Sequence, residues 1–168
     1  MLEEIEILTC TQLVTKHKKI QVERLGFFQL CPKDITSFVD LMKKNGVFVA
    51  HCPSSNMNLS SGIAPIRKYL DLDLKIGLGS DVAGGQSESI FRAITDSIQV
   101  SKMYWRHVNQ DCKPIVFSEA FFLATKGGGE FFGKVGSFES DYEFDAIVLD
   151  DSCLEHPQQL NVLQRLER

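Results

Sequence analysis

"VFVAHCPSSNMNLSSGIAPIRKYLDLDLKIGLGSDVAGG", residues 47–85, decides the fold. It contains two short apolar runs, completed by their neighbours as "GVFVAH" (46–51) and "KIGLG" (75–79). Neither shows the polar alternation of a strand with one wet face. Unbroken apolar runs suit strands covered on both faces, as in parallel sheets. Between them, "SGIAPIRKYLDLD" offers Pro65 for a first helical turn and Ile66, Tyr69 and Leu70 for one helix face. Strand, short helix, strand within so short a span predicts a βαβ unit.

Upstream, "PKDITSFVDLMKKNG" (32–46) predicts an amphipathic helix. Pro32 and Asp34 suit its first turn, Ile35, Phe38, Leu41 and Met42 form its stripe, Lys43 and Lys44 suit its last turn, and Gly46 stops it. Downstream, "SESIFRAITDSIQVSKMYW" (87–105) predicts a longer helix with Ser87 as N-cap and Ile90, Ile94 and Ile98 on the buried side. "VFSEAFFLATKGGGEFF" (116–132) predicts another, capped by Ser118, with Glu119 in its first turn and a break at Gly127–Gly129. "EFDAIVLD" (143–150) predicts a final strand. The order αβαβααβ argues for an α/β fold with a mostly parallel sheet. Two parallel strands do not make a stable sheet, and a (β/α)8 barrel takes about 250 residues. The expectation is a portion of a larger fold.

The 168 residues are 43% hydrophobic and 24% charged, enough apolar content for a packed core. A net charge of −4 gives no electrostatic case for nucleic acid or an anionic membrane. The cluster Lys16, Lys18, Lys19 is short and reads as a solvated face. No apolar run reaches the ~18 residues of a membrane span, and the acidic start "MLEEIEIL" is unlike a signal peptide. Cysteines stand at positions 10, 31, 52, 112 and 153, an odd number without CxxC spacing, which suits reduced thiols in the cytoplasm.

Function in parallel α/β folds collects at the carboxyl ends of strands, where His51 and Asp81 both fall. Asp81 ends the glycine-rich "GLGSD" and precedes "VAGG". A carboxylate with such small neighbours can bind a cation or take a proton from metal-bound water; equally, it can cap the next helix or receive loop amides. A lone histidine after an apolar strand is more often a structural residue than a ligand. Cys52 beside it does not make a catalytic pair, since neighbours on a strand point to opposite faces. Ser54, Ser55 and Asn56 after Pro53 are turn formers whose side chains can also meet a ligand. "GLGSDVAGG" is no nucleotide fingerprint, because Val82 stands where GxGxxG needs its third glycine.

"VAHCPSSNMNLSSGIAPIRKYL" and "KIGLGSDVAGG" together resemble the late-barrel region of the guanine deaminases, in the metal-dependent amidohydrolase superfamily. The HCPxSN piece is shared across related deaminases and chlorohydrolases; the DVAGG ending is more particular. "EAFFLATKGGGEFFGKVGSFESDYEFDAIVLD" resembles the segment that follows. The resemblance covers about residues 38–155 and implies the last strands and helices of a (β/α)8 barrel leading into a small β-sandwich. It divides the chain into an unmatched segment 1–35, a barrel portion 36–135 and the start of a β-domain at 136–168. It implies one zinc ion, hydrolysis of guanine to xanthine and ammonia, and a homodimer. Of the family's site residues only the eighth-strand aspartate maps, onto Asp81, as zinc ligand and proton acceptor. His51 and Asn56 fall on the HCPxSN motif and take at most a structural or supporting role beside the metal ligands.

The family pattern also has gaps in this sequence. There is no HxH; the other histidines are His17, His107 and His156, and Leu30 stands where the sixth-strand histidine belongs. One carboxylate cannot hold a catalytic zinc, so the chain alone is expected to be inactive. Two other expectations stand beside this one: a degenerate, non-catalytic relative kept as a binding module, or a relative acting on another aminopurine, a pterin or a triazine.

Overall fold

The computed structural model describes residues 12–14, 35–153 and 159–167. The elements run β1 (Gln12–Val14), α1 (Ile35–Lys44), β2 (Phe48–His51), α2 (Pro53–Asn58), α3 (Ile66–Asp71), β3 (Ile76–Leu78), α4 (Ile90–His107), α5 (Phe117–Phe122) and α6 (Val162–Glu167). A π-helical turn, Leu123–Gly127, continues α5. The sheet order is β1-β2-β3. β2 and β3 are parallel, with Val49 opposite Ile76 and His51 opposite Leu78. The βαβ reading of residues 46–79 therefore holds. β1 adds an antiparallel edge that the sequence reading lacked.

The apolar runs fill the core as their composition requires. Val49 and Ile76 on the strands meet Ile66 and Tyr69 of α3, Ile94 of α4, and Ile115, Phe117 and Leu123 from the α5 region. α1 contributes Val39 and Met42 and stops at Gly46, whose φ of +61° favours glycine. Arg67 of α3 ties the approach to α5 onto this core. Its guanidinium donates to the carbonyls of Lys113 and Pro114, each at 3.1 Å, and bidentately to Glu119 at 2.7 and 2.6 Å. The π turn lies directly on β3: a methyl added at Gly77 would come within 2.7 Å of the Gly128 Cα.

Four local expectations change. Ser89, not Ser87, caps α4, its hydroxyl accepting from the Arg92 amide at 3.4 Å. Val116, not Ser118, occupies the cap of α5, and the Glu119 carboxylate reaches back to accept from the Val116 amide at 2.9 Å. Ile94 is buried, but Ile90 is exposed at the first turn of α4. Residues 143–150 form no strand: no ladder partner reaches them among the described residues, and Phe144, Ile147 and Val148 stand in solvent. Pro32, Asp34, Leu30, His17, the lysine cluster and His156 lie outside the described residues. Among the described residues no helix is long and apolar enough to cross a membrane.

Candidate functional site

β2 and β3 end side by side, which brings the neighbourhoods of His51 and Asp81 to one edge of the sheet. The Gly79 amide donates to the His51 carbonyl at 2.9 Å, closing the pairing just before the chain turns away. From there the two side chains have different fates.

His51 turns inward. It is 1% exposed, and neither ring nitrogen has a hydrogen-bond partner among the described residues. Burial pushes its pKa from the ordinary 6.5 down to about 3, so the imidazole is neutral. Asp81 is half-buried on the loop beyond β3, with φ +47°, a left-handed conformation rare outside glycine. The Gly85 amide folds back to the Asp81 carbonyl at 2.7 Å. Loop and strand end therefore present the carboxylate while the imidazole is sealed.

The residues after His51 are helical, not a turn. Pro53 starts α2 at a position where its missing N–H costs nothing, and Ser54, Ser55 and Asn56 are all buried on it. The Ser54 hydroxyl accepts from the Gln86 amide at 3.2 Å. Asn58 Nδ2 donates to the Gly84 carbonyl at 2.9 Å, and Gln86 Nε2 donates to Asn58 Oδ1 at 3.0 Å. Asn56 is 2% exposed, and its side-chain amide has no partner among the described residues. The sequence reading missed Asn58 and Gly84. Their contact spans 26 residues, so no local pattern in the sequence marks it.

A zinc ion does not fit the described residues alone. Among them, no group of three or more histidine, cysteine, aspartate or glutamate side chains could hold a metal. Asp81 would be a single ligand, and His51 is buried. His107 ends α4 on an exposed surface. Catalytic zinc takes three protein ligands and keeps an open position.

Comparison with known proteins follows the same residues. The amidohydrolase family model matches residues 14–166. The chain is 39% identical over 115 residues to a guanine deaminase of Dictyostelium discoideum, a match covering 67% of this chain and 25% of the relative. It is 39% identical over 123 residues to a Homo sapiens guanine deaminase, covering 71% of this chain and 27% of that protein. The chain thus spans about a quarter of the length of these curated relatives. Its structure resembles that of a guanine deaminase from C. acetobutylicum with guanine bound in the active site. That similarity has a TM-score of 0.73 at 48% identity and covers 79% of this chain and 31% of the other.

Proposed function

The chain belongs to the amidohydrolase family, and from that premise we propose that it is the portion of a guanine deaminase carrying the last two strands of a (β/α)8 barrel. In this reading β2 and β3 are the seventh and eighth strands, residues 36–135 are the late barrel, residues 136–168 open a small β-sandwich domain, and residues 1–35, within which the family match begins at residue 14, precede the barrel portion. The observation that carries it is the half-exposed Asp81 on the loop just beyond β3, followed by the tightly fitted Gly84–Gly85 pair, in a chain 48% identical to a structure with guanine in its active site.

The complete enzyme would replace the exocyclic amino group of guanine with water-derived oxygen, releasing xanthine and ammonia. Asp81 would contribute one ligand to a zinc ion and take a proton from the attacking water; the remaining ligands would come from outside the described residues. His51 and Asn56 stay neutral and buried and support the strand end. The substrate is a small molecule, and neither nucleic acid nor membrane is a partner. The complete protein is a cytoplasmic homodimer.

The test has two parts. The purified 168-residue chain, supplied with zinc and guanine, should release no ammonia; turnover by it would refute the single-ligand reading. The DNA upstream of Met1 is then read in all frames for an HxH and a further strand-end histidine. A protein extended to include them should convert guanine to xanthine, and Asp81→Asn should lower that rate by about 10²–10⁴-fold, the usual worth of a positioned proton acceptor. An extended protein inert toward guanine, or upstream DNA without either motif, would move the assignment to the non-catalytic module.

A further inference from the structure

The loop that carries Asp81 takes its shape from α2. Asn58, at the end of that helix, donates to the Gly84 carbonyl at 2.9 Å, and Gln86 closes the contact from the other side at 3.0 Å. The Gln86 amide is tied to Ser54 at 3.2 Å. Both flanks of the glycine pair are thus anchored on one short helix.

The anchoring leaves no room at Gly84. A methyl added there would come 2.9 Å from Ser55 Oγ and 3.0 Å from Asp81 Oδ2. The serine hydroxyl and the aspartate carboxylate therefore face the same bare Cα. The Ser55 hydroxyl is fully buried and has no hydrogen-bond partner among the described residues. Asp81 itself holds φ +47°, which a non-glycine residue keeps only where its surroundings determine it. Gly85 is equally tight, since a methyl there would sit 2.0 Å from the Ser80 carbonyl oxygen.

We propose that Asn58 and Ser55 are positioning residues for Asp81. Asn58 pins the Gly84 carbonyl and draws the loop down onto α2. Ser55 fixes how far it comes, and the missing side chain at Gly84 leaves the carboxylate its place. Neither residue touches a reacting atom. The inference rests on reading Asp81 as the functional carboxylate, but its test reads geometry and does not depend on guanine turnover.

The 168-residue chain is labelled with 13C and 15N, and Asp81 is followed by its backbone amide–Hα coupling and side-chain carboxyl shift. Asn58 is exposed, so Asn58→Leu keeps the core; unchanged signals from Val49 and Ile76 verify this. In that variant the Asp81 coupling should move to the averaged value of an unconstrained residue. The amides of residues 82–86 should exchange with solvent about tenfold faster or more, as expected for a loop released from its anchor. Ser55→Ala, a nearly volume-neutral change, should shift the Asp81 carboxyl signal while the coupling holds. If Asp81 keeps its wild-type coupling, carboxyl shift and loop exchange in both variants, the proposal is overturned. An extended protein inert toward guanine would refute the functional reading and leave this geometric result intact.

Discussion

Acid should unfold this chain through His51. The imidazole is 1% exposed, has no partner on either nitrogen among the described residues, and has its pKa lowered by burial to about 3. The unfolded chain holds the same group near the ordinary 6.5. A folded-state pKa below the unfolded one means that the unfolded chain binds the proton first. The stability linked to this neutral histidine is therefore complete above pH 6.5 and declines as the pH falls from there toward about 3. The limiting slope is about 1.4 kcal/mol per pH unit. Across the whole window the loss approaches ~5 kcal/mol, the lower end of a domain's total stability. The assay is urea unfolding followed by circular dichroism at half-unit steps from pH 7.5 to 4, for the wild type and for His51→Leu. The variant changes packing and cannot titrate at that position. Its stability minus that of the wild type should therefore grow more favourable as the pH falls, with a slope approaching one proton. Exposed histidines and carboxylates cancel in the difference. A difference that stays flat between pH 6.5 and 4 would refute the reasoning, because His51 would then accept a proton without unfolding.

The remaining predictions concern the scaffold. Removing either end of the Arg67–Glu119 pair by alanine should cost about 2–3 kcal/mol, and a double-mutant cycle in urea should give a coupling of about 1–2 kcal/mol, reduced by partial exposure. Arg67 holds the Glu119 carboxyl below its ordinary pKa, so this contribution is present above the unfolded-state value and should vanish as the pH falls through the folded one; Glu119→Gln should lose that dependence. Gly77→Ala should destabilise by about 1–3 kcal/mol, measured by thermal melting, because the new methyl meets backbone 2.7 Å away. Burial, followed by the neighbouring Tyr104, raises the Tyr69 phenol from 10 to about 12; stability should therefore fall as the pH rises from 10 toward 12, and Tyr69→Phe should flatten that limb in the same urea assay.

The parallel strands were legible because two uninterrupted valine- and isoleucine-rich runs admit few other readings, and α1 was legible from its lysine-to-glycine end. Caps were read less well. Ser87 and Ser118 have the preferred cap chemistry, but the α4 cap falls to the next serine along, and at α5 the carboxylate of Glu119 does the work without a capping side chain at Val116. The 53–58 segment looked like a turn because serine and asparagine favour turns locally; packing of α2 against α4 overrides that preference, and Ser54, Ser55 and Asn56 end up buried. Asp81 was visible because it follows closely on an apolar run, a purely local fact. The parts played by Asn58 and Gly84 depend on contacts across 26 residues, which no local pattern announces.

The bare segment Phe144–Leu149 has a bearing on how the protein behaves in concentrated solution. Phe144, Ile147 and Val148 are 85%, 74% and 97% exposed. Short runs of this kind, rich in aromatic and branched residues, template cross-β growth when two copies meet. What stands against such growth is charge: Asp145 lies within the segment, and Asp150 and Asp151 follow it. Acidic residues at such places act as gatekeepers, repelling a second copy brought into register. As the medium approaches the isoelectric point of 5.6 the molecule's net negative charge disappears, and these local carboxylates become the remaining barrier between copies. Acid therefore removes the long-range repulsion between copies in the same pH range in which the buried His51 begins to weaken the fold.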